Sequence, residues 1–422
     1  MSAATTPSDV SLDRRLGLGD AVFIGLGSMI GTGVFAAYGP AARAAGTGLL
    51  VGLGVAAVVA YCNATASAQL AATYPRAGGT YLYGREVLGE WWGYLAGWGF
   101  MVGKTASCAA MALTFAAYVA PGSWQRPVAA AVVVVLAVVN CAGITRTALL
   151  TRVLVSLVLV TLVAAAVACF RGGSASELSG WGSPSHGLYG VLQSAGLLFF
   201  AFAGYARIAT LGEEVREPAR VIPRAIVLAL AGAVVVYAVI AVAVLSVLGA
   251  SGTAASAAPV SDAVRATSAS WVVGVVRVGA ALASAGALLA LIAGLGRTGL
   301  AMAREGDLPR WLDAVHPRFR VPHRAELTVA AIVVVLVLTT DLRGAIGFSS
   351  FGVLLYYFVA NAAAYRQAPT QRRFPRWLQV LGALGCLVLV ATLPWLAVVA
   401  GASVFALGVA VRAARIRLNR GF

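Results

Sequence analysis

The sequence predicts an all-α membrane protein with twelve transmembrane helices. Of its 422 residues, 60% are hydrophobic and 11% are charged, whereas soluble domains average about 25% charged residues. Apolar runs of about 20 residues, the length that crosses a bilayer as a helix, recur along the chain. Clusters of arginine follow every second run, which is the pattern expected of cytoplasmic loops.

The predicted spans form a single transmembrane domain over residues 16–411, between cytoplasmic tails at 1–15 and 412–422. They cover residues 17–39, 47–72, 90–120, 125–142, 149–170, 188–212, 223–249, 271–299, 326–340, 345–365, 377–392 and 394–411. A Ser/Ala-rich loop is expected between the seventh and eighth spans. We expect the protein to lie in the plasma membrane. The even number of spans and the basic clusters predict that both termini are cytoplasmic.

The net charge of +16 raises the question of a nucleic-acid partner. The basic residues lie in short clusters between apolar runs, where contact with lipid headgroups and the setting of topology account for them. We therefore expect the bilayer as a partner and no nucleic acid. Thirty of the 31 basic residues are arginine, and the one lysine is Lys104.

The first span contains four glycines within residues 25–33, in the stretch GLGSMIGTGVF. Each glycine inside a helix costs about 1 kcal/mol relative to alanine. We therefore expect the backbone to open here, which a membrane protein tolerates only where the open segment is buried in protein or lines a cavity. The alternative is close helix packing through small residues.

An opened helix in mid-membrane exposes donors on one side of the break and acceptors on the other. We expect the freed N–H groups of Gly31, Thr32 and Gly33, with the Thr32 hydroxyl, to hold a substrate carboxylate. Carbonyls near Gly27 and Met29 are expected to accept from the substrate ammonium group.

The sixth span repeats this logic with a glycine at mid-depth, Gly204, flanked by aromatic residues in LFFAFAGYA (198–206). Two interrupted helices in corresponding positions are a pointer to a transporter built from two inverted repeats. The first repeat is predicted at residues 16–171 and the second at 188–366, with two extra helices at 377–411.

Three stretches of this sequence resemble motifs of one family. They are GSMIGTGVF (27–35), FFAFAGY (199–205) running on to EEVREPARVIP (213–223), and GRTGLAMAREGDLP (296–309). Together they resemble the amino acid–polyamine–organocation (APC) transporters over essentially the whole chain. The resemblance implies a leucine-transporter-like fold, with a 5+5 inverted repeat plus two helices.

The resemblance also implies roles for the sixth helix. Phe200 matches the family position of an aromatic gate that covers the substrate from outside. Carbonyls near Phe200 and Ala203 would share the ammonium group, and Phe202 and Tyr205 would line the side-chain pocket. For each aromatic residue, packing against lipid or core remains the alternative.

Lys104 is a charge in the middle of the third span, where charges are costly and usually face a cavity. Some APC members couple proton movement to a buried lysine on the fifth helix, but the matching stretch here, 149–160, contains none. Lysine, unlike arginine, can lose its proton when buried. We expect Lys104 to be the proton-coupling residue; the alternative is a fixed charge bonded to the carbonyls of a broken helix.

Charged residues flank the proposed cytoplasmic helix ends at Glu213, Glu214 and Arg297. They are candidates for an intracellular gate of ion pairs, with a solvated cap and topology signal as the alternative. No carboxylate falls at mid-membrane depth. This absence favours substrates with neutral side chains, and it favours protons over sodium as the coupling ion. An anionic side chain stays open if Lys104 or Arg207 reaches the pocket.

These features predict a secondary active transporter that moves amino acids by alternating access, coupled to protons. The first alternative is an exchanger of amino acids or other amines without net proton coupling. The second, of a different class, is a membrane-embedded enzyme or scaffold, for which the sequence offers no nucleophile–base pair and no metal-ligand spacing. No cofactor or metal is expected, and the oligomeric state is left open.

Overall fold

A computed structural model describes residues 16–75, 78–143, 148–174, 187–209 and 214–420. Apart from one isolated bridge between Leu16 and Val215, the regular structure in these ranges is helical. This all-α architecture confirms the predicted fold class at the level of secondary structure.

The helices are numbered in chain order. The first nine are α1 (Leu18–Met29), α2 (Gly33–Ala36), α3 (Tyr38–Ala45), α4 (Leu49–Thr73), α5 (Gly79–Leu88), α6 (Glu90–Val119), α7 (Gln125–Cys141), α8 (Ala148–Gly172) and α9 (Gly187–Phe202). The remaining eight are α10 (Ala206–Ala209), α11 (Pro218–Ala255), α12 (Pro259–Arg265), α13 (Val272–Arg304), α14 (His323–Thr339), α15 (Leu342–Arg366), α16 (Arg376–Thr392) and α17 (Trp395–Arg420).

Both predicted helix interruptions are present. The first span stops at Met29, leaves helical geometry at Ile30 (φ −76°, ψ 39°) and resumes at Gly33. Its second half runs from α2 into α3 through Ala37, whose backbone is itself helical (φ −77°, ψ −22°). The sixth span stops at Phe202, turns at residues 203–205 and resumes as α10. The positions of the two breaks are therefore confirmed.

The helices pack as two groups. In one, α4 lies against both α9 and α11, α1 against α11, and α3 against α9 and α11. In the other, α6 lies against α13 and α15, and α14 lies against α7 and α13. We call the first group the bundle and the second the scaffold. Both interrupted helices belong to the bundle, and α8 borders it through α1 and α11.

Nine segments of the described chain are long and apolar enough to cross a membrane, and 187–202 and 376–392 are shorter apolar helices. The count of twelve spans, the two inverted repeats and the domain boundaries therefore stay predictions. The expected Ser/Ala-rich loop differs from the structure, which has helix on both sides of residue 256. Pro259 begins α12, and the Ser256 hydroxyl donates to the carboxylate of Asp262, in the first turn of that helix, at 2.6 Å.

Candidate functional site

The two helix breaks lie in direct backbone contact. A methyl group placed on Gly204 would lie 2.2 Å from the carbonyl oxygen of Ser28, and one on Gly33 would lie 2.5 Å from the Cα of Ala201. No side chain larger than hydrogen fits at either position without moving backbone. The sequence predicted two separate interruptions, and the fold brings them together as one site.

The other first-span glycines are also close packing points. A Cβ on Gly25 would meet Ile208 at 2.3 Å, and one on Gly27 would meet Val155 at 2.5 Å. A Cβ on Gly31 would lie 3.2 Å from that of Ala287 on α13. Close packing against several different helices therefore accounts for all four glycines.

The first break offers hydrogen-bond donors. Within the described residues, no backbone carbonyl accepts from the N–H groups of Gly31, Thr32 or Gly33. The Thr32 hydroxyl is buried, at 2% residue exposure, and it too has no partner. Buried polar groups are normally bonded to protein, water or ligand. These donors, at the start of the α2–α3 helix, suit an anionic group such as a carboxylate.

The acceptors near the breaks are already engaged by tyrosine hydroxyls. The Tyr237 hydroxyl of α11 donates to the carbonyl of Met29 at 2.6 Å and lies 2.9 Å from the carbonyl oxygen of Ala201. Tyr38 in turn donates to the carbonyl of Tyr237 at 2.9 Å. No role for Tyr237 was predicted from the sequence. Its signal is a lone tyrosine inside an apolar Val/Ala run, because a buried tyrosine hydroxyl usually needs a partner.

Lys104 bridges the scaffold and the bundle. Its ammonium nitrogen lies 3.1 Å from the carbonyl oxygen of Ala203, in the second break, and the residue is 9% exposed. Tyr357 of α15 approaches the same carbonyl at 3.4 Å. No carboxylate in the described ranges forms an ion pair with Lys104. The lysine therefore occupies a carbonyl that was expected to bind the substrate ammonium group.

The aromatic residues of the sixth span separate into two environments. Phe200 packs in an apolar cluster with residues of α6 and α13, such as Cys108 and Leu288, so it faces the scaffold. Phe202 faces the bundle instead, with its ring centroid 5.0 Å from that of Tyr237. Tyr205 stacks on Tyr357 at 5.0 Å. Phe200 and Tyr205 therefore both contact scaffold helices, and Phe200, which packs against α6 and α13, has the position expected of a gate.

The candidate gate residues are only partly described. Glu213 lies outside the described residues, and the ion pairs recorded within them include neither Glu214 nor Arg297. The charges of Glu214 and Arg297 both act on Arg207. A gate role for all three remains untested.

A different ion pair lies at the start of α1. Arg152 of α8 pairs with Asp20, whose other carboxylate oxygen accepts from the Gly17 N–H at 3.0 Å. Beside it, the Leu16 N–H donates to the Glu214 carbonyl at 3.0 Å, and the Arg216 N–H donates to the Leu16 carbonyl at 2.9 Å. These contacts tie the start of the first span to the segment after the sixth.

A buried charge cluster at Asp307 was also missed from the sequence. Its carboxylate accepts from the Tyr81 hydroxyl at 2.8 Å, from Arg85 at 3.2 Å and from Arg412 of α17. Burial and the hydrogen bond to Asp307 raise the pKa of Tyr81 above its usual range. Asp307 lies in the GRTGLAMAREGDLP stretch, whose partners are far away in sequence. The cluster joins α5, the loop after α13 and α17.

The chain resembles known transporters along its whole length. Residues 16–410 match the family model described as amino acid permease. An uncharacterized transporter of Mycobacterium tuberculosis is 59% identical over 98% of this chain and 94% of that relative. A branched-chain amino acid permease of Bacillus subtilis is 26% identical over 94% of this chain and 91% of that relative. Cationic amino acid transporter 4 of Homo sapiens is 29% identical over 84% of this chain and 60% of that relative.

Proposed function

The chain belongs to the amino acid permease family of the APC superfamily, and we propose that it is a secondary active transporter of amino acids with neutral side chains. The observation that carries this proposal is the contact between the two helix breaks, which puts free backbone donors beside a lysine-bound carbonyl. The family and the names of the relatives are those of transporters rather than enzymes.

In this proposal, the substrate carboxylate binds the N–H groups of Gly31, Thr32 and Gly33, together with the Thr32 hydroxyl. These donors have no protein partner in the described residues, so binding would satisfy them without breaking an existing bond. The substrate ammonium group would bind carbonyls around Gly27 and Ala203, beside Gly204.

The substrate side chain is proposed to be neutral. A cationic side chain would call for an acidic partner in the membrane interior, and the recorded ion pairs of the described chain include no carboxylate at the breaks. The relatives differ on this point, since one is named for branched-chain and another for cationic amino acids. The site residues of this chain support a neutral side chain, such as that of a branched-chain amino acid.

Lys104 is proposed to couple transport to protons. A buried amine without a carboxylate partner favours its neutral form, while a charged amine makes the stronger hydrogen bond to a carbonyl. Protonation would therefore tighten the contact between Lys104 and Ala203, and with it the contact between scaffold and bundle. Loss of the proton would loosen the second break and release this carbonyl.

The division of the molecule into bundle and scaffold supports a proposal of alternating access. The bundle, which carries both breaks, is proposed to rock against the scaffold around a site at mid-membrane. Phe200 would close the site on one side, and the contacts of Asp20 with Arg152 would close it on the other. Twelve spans, a plasma-membrane location and cytoplasmic termini belong to the same proposal.

Uptake by the purified chain in proteoliposomes tests the function. A panel of radiolabelled amino acids is offered with and without a pH gradient that is acidic outside. We expect concentrative uptake of a neutral amino acid that needs the gradient and collapses with a protonophore.

Two results would redirect the proposal. Counterflow of preloaded amino acid without any response to the gradient would identify the alternative, an exchanger without net proton coupling. An absence of both uptake and counterflow for every amino acid and amine offered would contradict a transport function and favour the enzyme or scaffold alternative. Empty liposomes are the control.

A further inference from the structure

A cavity of about 530 Å³ lies away from the helix breaks, where the ends of α5 and α15 meet the starts of α6 and α16. Apolar side chains form most of its wall: Val87, Leu88, Ala362, Val380, Ala383 and Leu384. Val380 is 45% exposed and Leu384 is 57% exposed on the outer surface of α16. The cavity therefore opens toward the side of the molecule that faces the hydrocarbon of a bilayer.

A buried amide inside this cavity has no partner. Gln379 is 1% exposed, and neither its Nε2 nor its Oε1 forms a hydrogen bond with the part of the chain that the structure describes. Leaving a buried amide unbonded is costly. Gln379 therefore needs a bound molecule that offers both an acceptor and a donor. Its neighbour Asn361 donates its amide nitrogen to Asn63 at 2.6 Å and to the Tyr357 carbonyl at 2.9 Å, and the Asn361 Oδ1, like the Gln379 amide, has no partner among the described residues.

The mouth of the cavity carries positive charge and aromatic rings. Arg366, the last residue of α15, lines it, and the Arg376 guanidinium lies 4.9 Å from the ring centroid of Tyr365, another lining residue. Trp92 and Tyr365 are 38% and 41% exposed. Tryptophan and tyrosine concentrate at the level of lipid headgroups. Gln379 also lies in the first turn of α16, whose N-terminal end favours an anion.

We propose that this cavity binds an anionic glycerophospholipid whose headgroup carries a hydroxyl group. The phosphate lies between Arg366 and the start of α16, because basic pockets between membrane helices bind anionic headgroups. Gln379 donates to a phosphate or ester oxygen and accepts from the headgroup hydroxyl. One acyl chain enters along Val380, Ala383 and Leu384 and continues along the exposed face of α16.

Native mass spectrometry of the delipidated full chain tests the site. The protein is titrated with phosphatidylglycerol or with phosphatidylcholine of the same acyl chains. We expect one phosphatidylglycerol to bind about tenfold more tightly than phosphatidylcholine, a difference that matches one charge-assisted contact. Free glycerol 3-phosphate at the same concentration should not displace it, because the acyl chain contributes to binding.

Variants locate the binding to this cavity. Gln379→Leu and Arg366→Gln should each weaken phosphatidylglycerol binding about tenfold, and Ala383→Phe should block it by filling the apolar wall. Arg310→Gln, the same change at an exposed arginine outside the cavity, is the control and should bind as wild type. Gln379→Leu removes a buried amide that has no bond to the described residues, so the melting temperature of the lipid-free protein should stay the same or rise.

Three outcomes would overturn the proposal. They are equal affinity for the two lipids, wild-type affinity in both Gln379→Leu and Ala383→Phe, and displacement by glycerol 3-phosphate, which would indicate a site for a free phosphate ester. The measurement contains no transport step, so its result does not depend on the proposed function.

Discussion

The two helix breaks are chemically unlike each other. The first presents donors that the described protein leaves unbonded, at Gly31, Thr32 and Gly33. The second presents the Ala203 carbonyl, which the protein's own ammonium group at Lys104 already occupies. The first break is therefore ready for a substrate carboxylate. The second can accept a substrate ammonium group only through the remaining lone pair of that carbonyl, so the protonation state of Lys104 bears directly on substrate binding.

The contact between the breaks is the feature most sensitive to mutation. Gly204→Val puts a branched side chain where even a methyl group would lie 2.2 Å from the Ser28 carbonyl. Overpacking of this kind costs at least about 1–3 kcal/mol, so we expect transport to be lost and the melting temperature to fall. Uptake and thermal unfolding measure the two effects.

Gly54 supplies the matched control, since no atom lies within 4 Å of a Cβ placed there. Gly54→Val should transport as wild type. Normal uptake by Gly204→Val would mean that the breaks do not need to touch.

Removing the Lys104 ammonium group should abolish proton-driven accumulation but leave exchange of amino acids intact. Lys104→Met deletes the hydrogen bond from that ammonium group to the Ala203 carbonyl, so we expect gradient-driven accumulation to fall at least about tenfold while counterflow continues. Uptake at a series of external pH values is the measurement.

Lys104→Arg distinguishes a proton carrier from a fixed charge, because arginine stays protonated. It should fail like Lys104→Met if the proton cycles. Gradient-driven accumulation at the wild-type level in Lys104→Arg would show that Lys104 is a structural cation.

Tyr237 holds the two halves of the site together from the bundle side. Tyr237→Phe removes a hydroxyl near the carbonyls of Met29 and Ala201, leaving them buried without a donor. An unsatisfied buried acceptor costs about 1–3 kcal/mol. We expect a lower melting temperature and a higher KM.

Tyr61→Phe is the control, since Tyr61 is 41% exposed. It should match wild type in both readouts. Unchanged stability and KM in Tyr237→Phe would show that these carbonyls need no protein donor, and that they are open to the substrate.

The smallest expected effect is at Thr32. Thr32→Val keeps the shape and removes one hydroxyl that has no protein partner, so stability should not change. Loss of one hydrogen bond to substrate, about 1 kcal/mol, should raise the KM roughly fivefold. Thr32→Ser should restore it. A wild-type KM in Thr32→Val would remove the hydroxyl from the carboxylate site.

The sequence predicted the breaks because four glycines and a mid-span Gly204 are local signals. It also predicted that Lys104 lies buried, since a charge in an apolar span is costly in contact with lipid and usually faces the protein interior. It could not pair Lys104 with Ala203, or Asp307 with Arg412, because those partners are 99 and 105 residues apart. Nor could it explain the first-span glycines, whose neighbours come from five different helices.

The central claim is that the two breaks together bind a zwitterion. The most direct measurement compares binding of the best-transported amino acid with its decarboxylated amine and its deaminated acid; for leucine these are 3-methylbutylamine and 4-methylpentanoate. Each analogue loses charge-assisted bonds of about 1.5–3 kcal/mol, so each should bind at least about tenfold more weakly than the amino acid. An amine or an acid that binds as tightly as the amino acid would contradict the account.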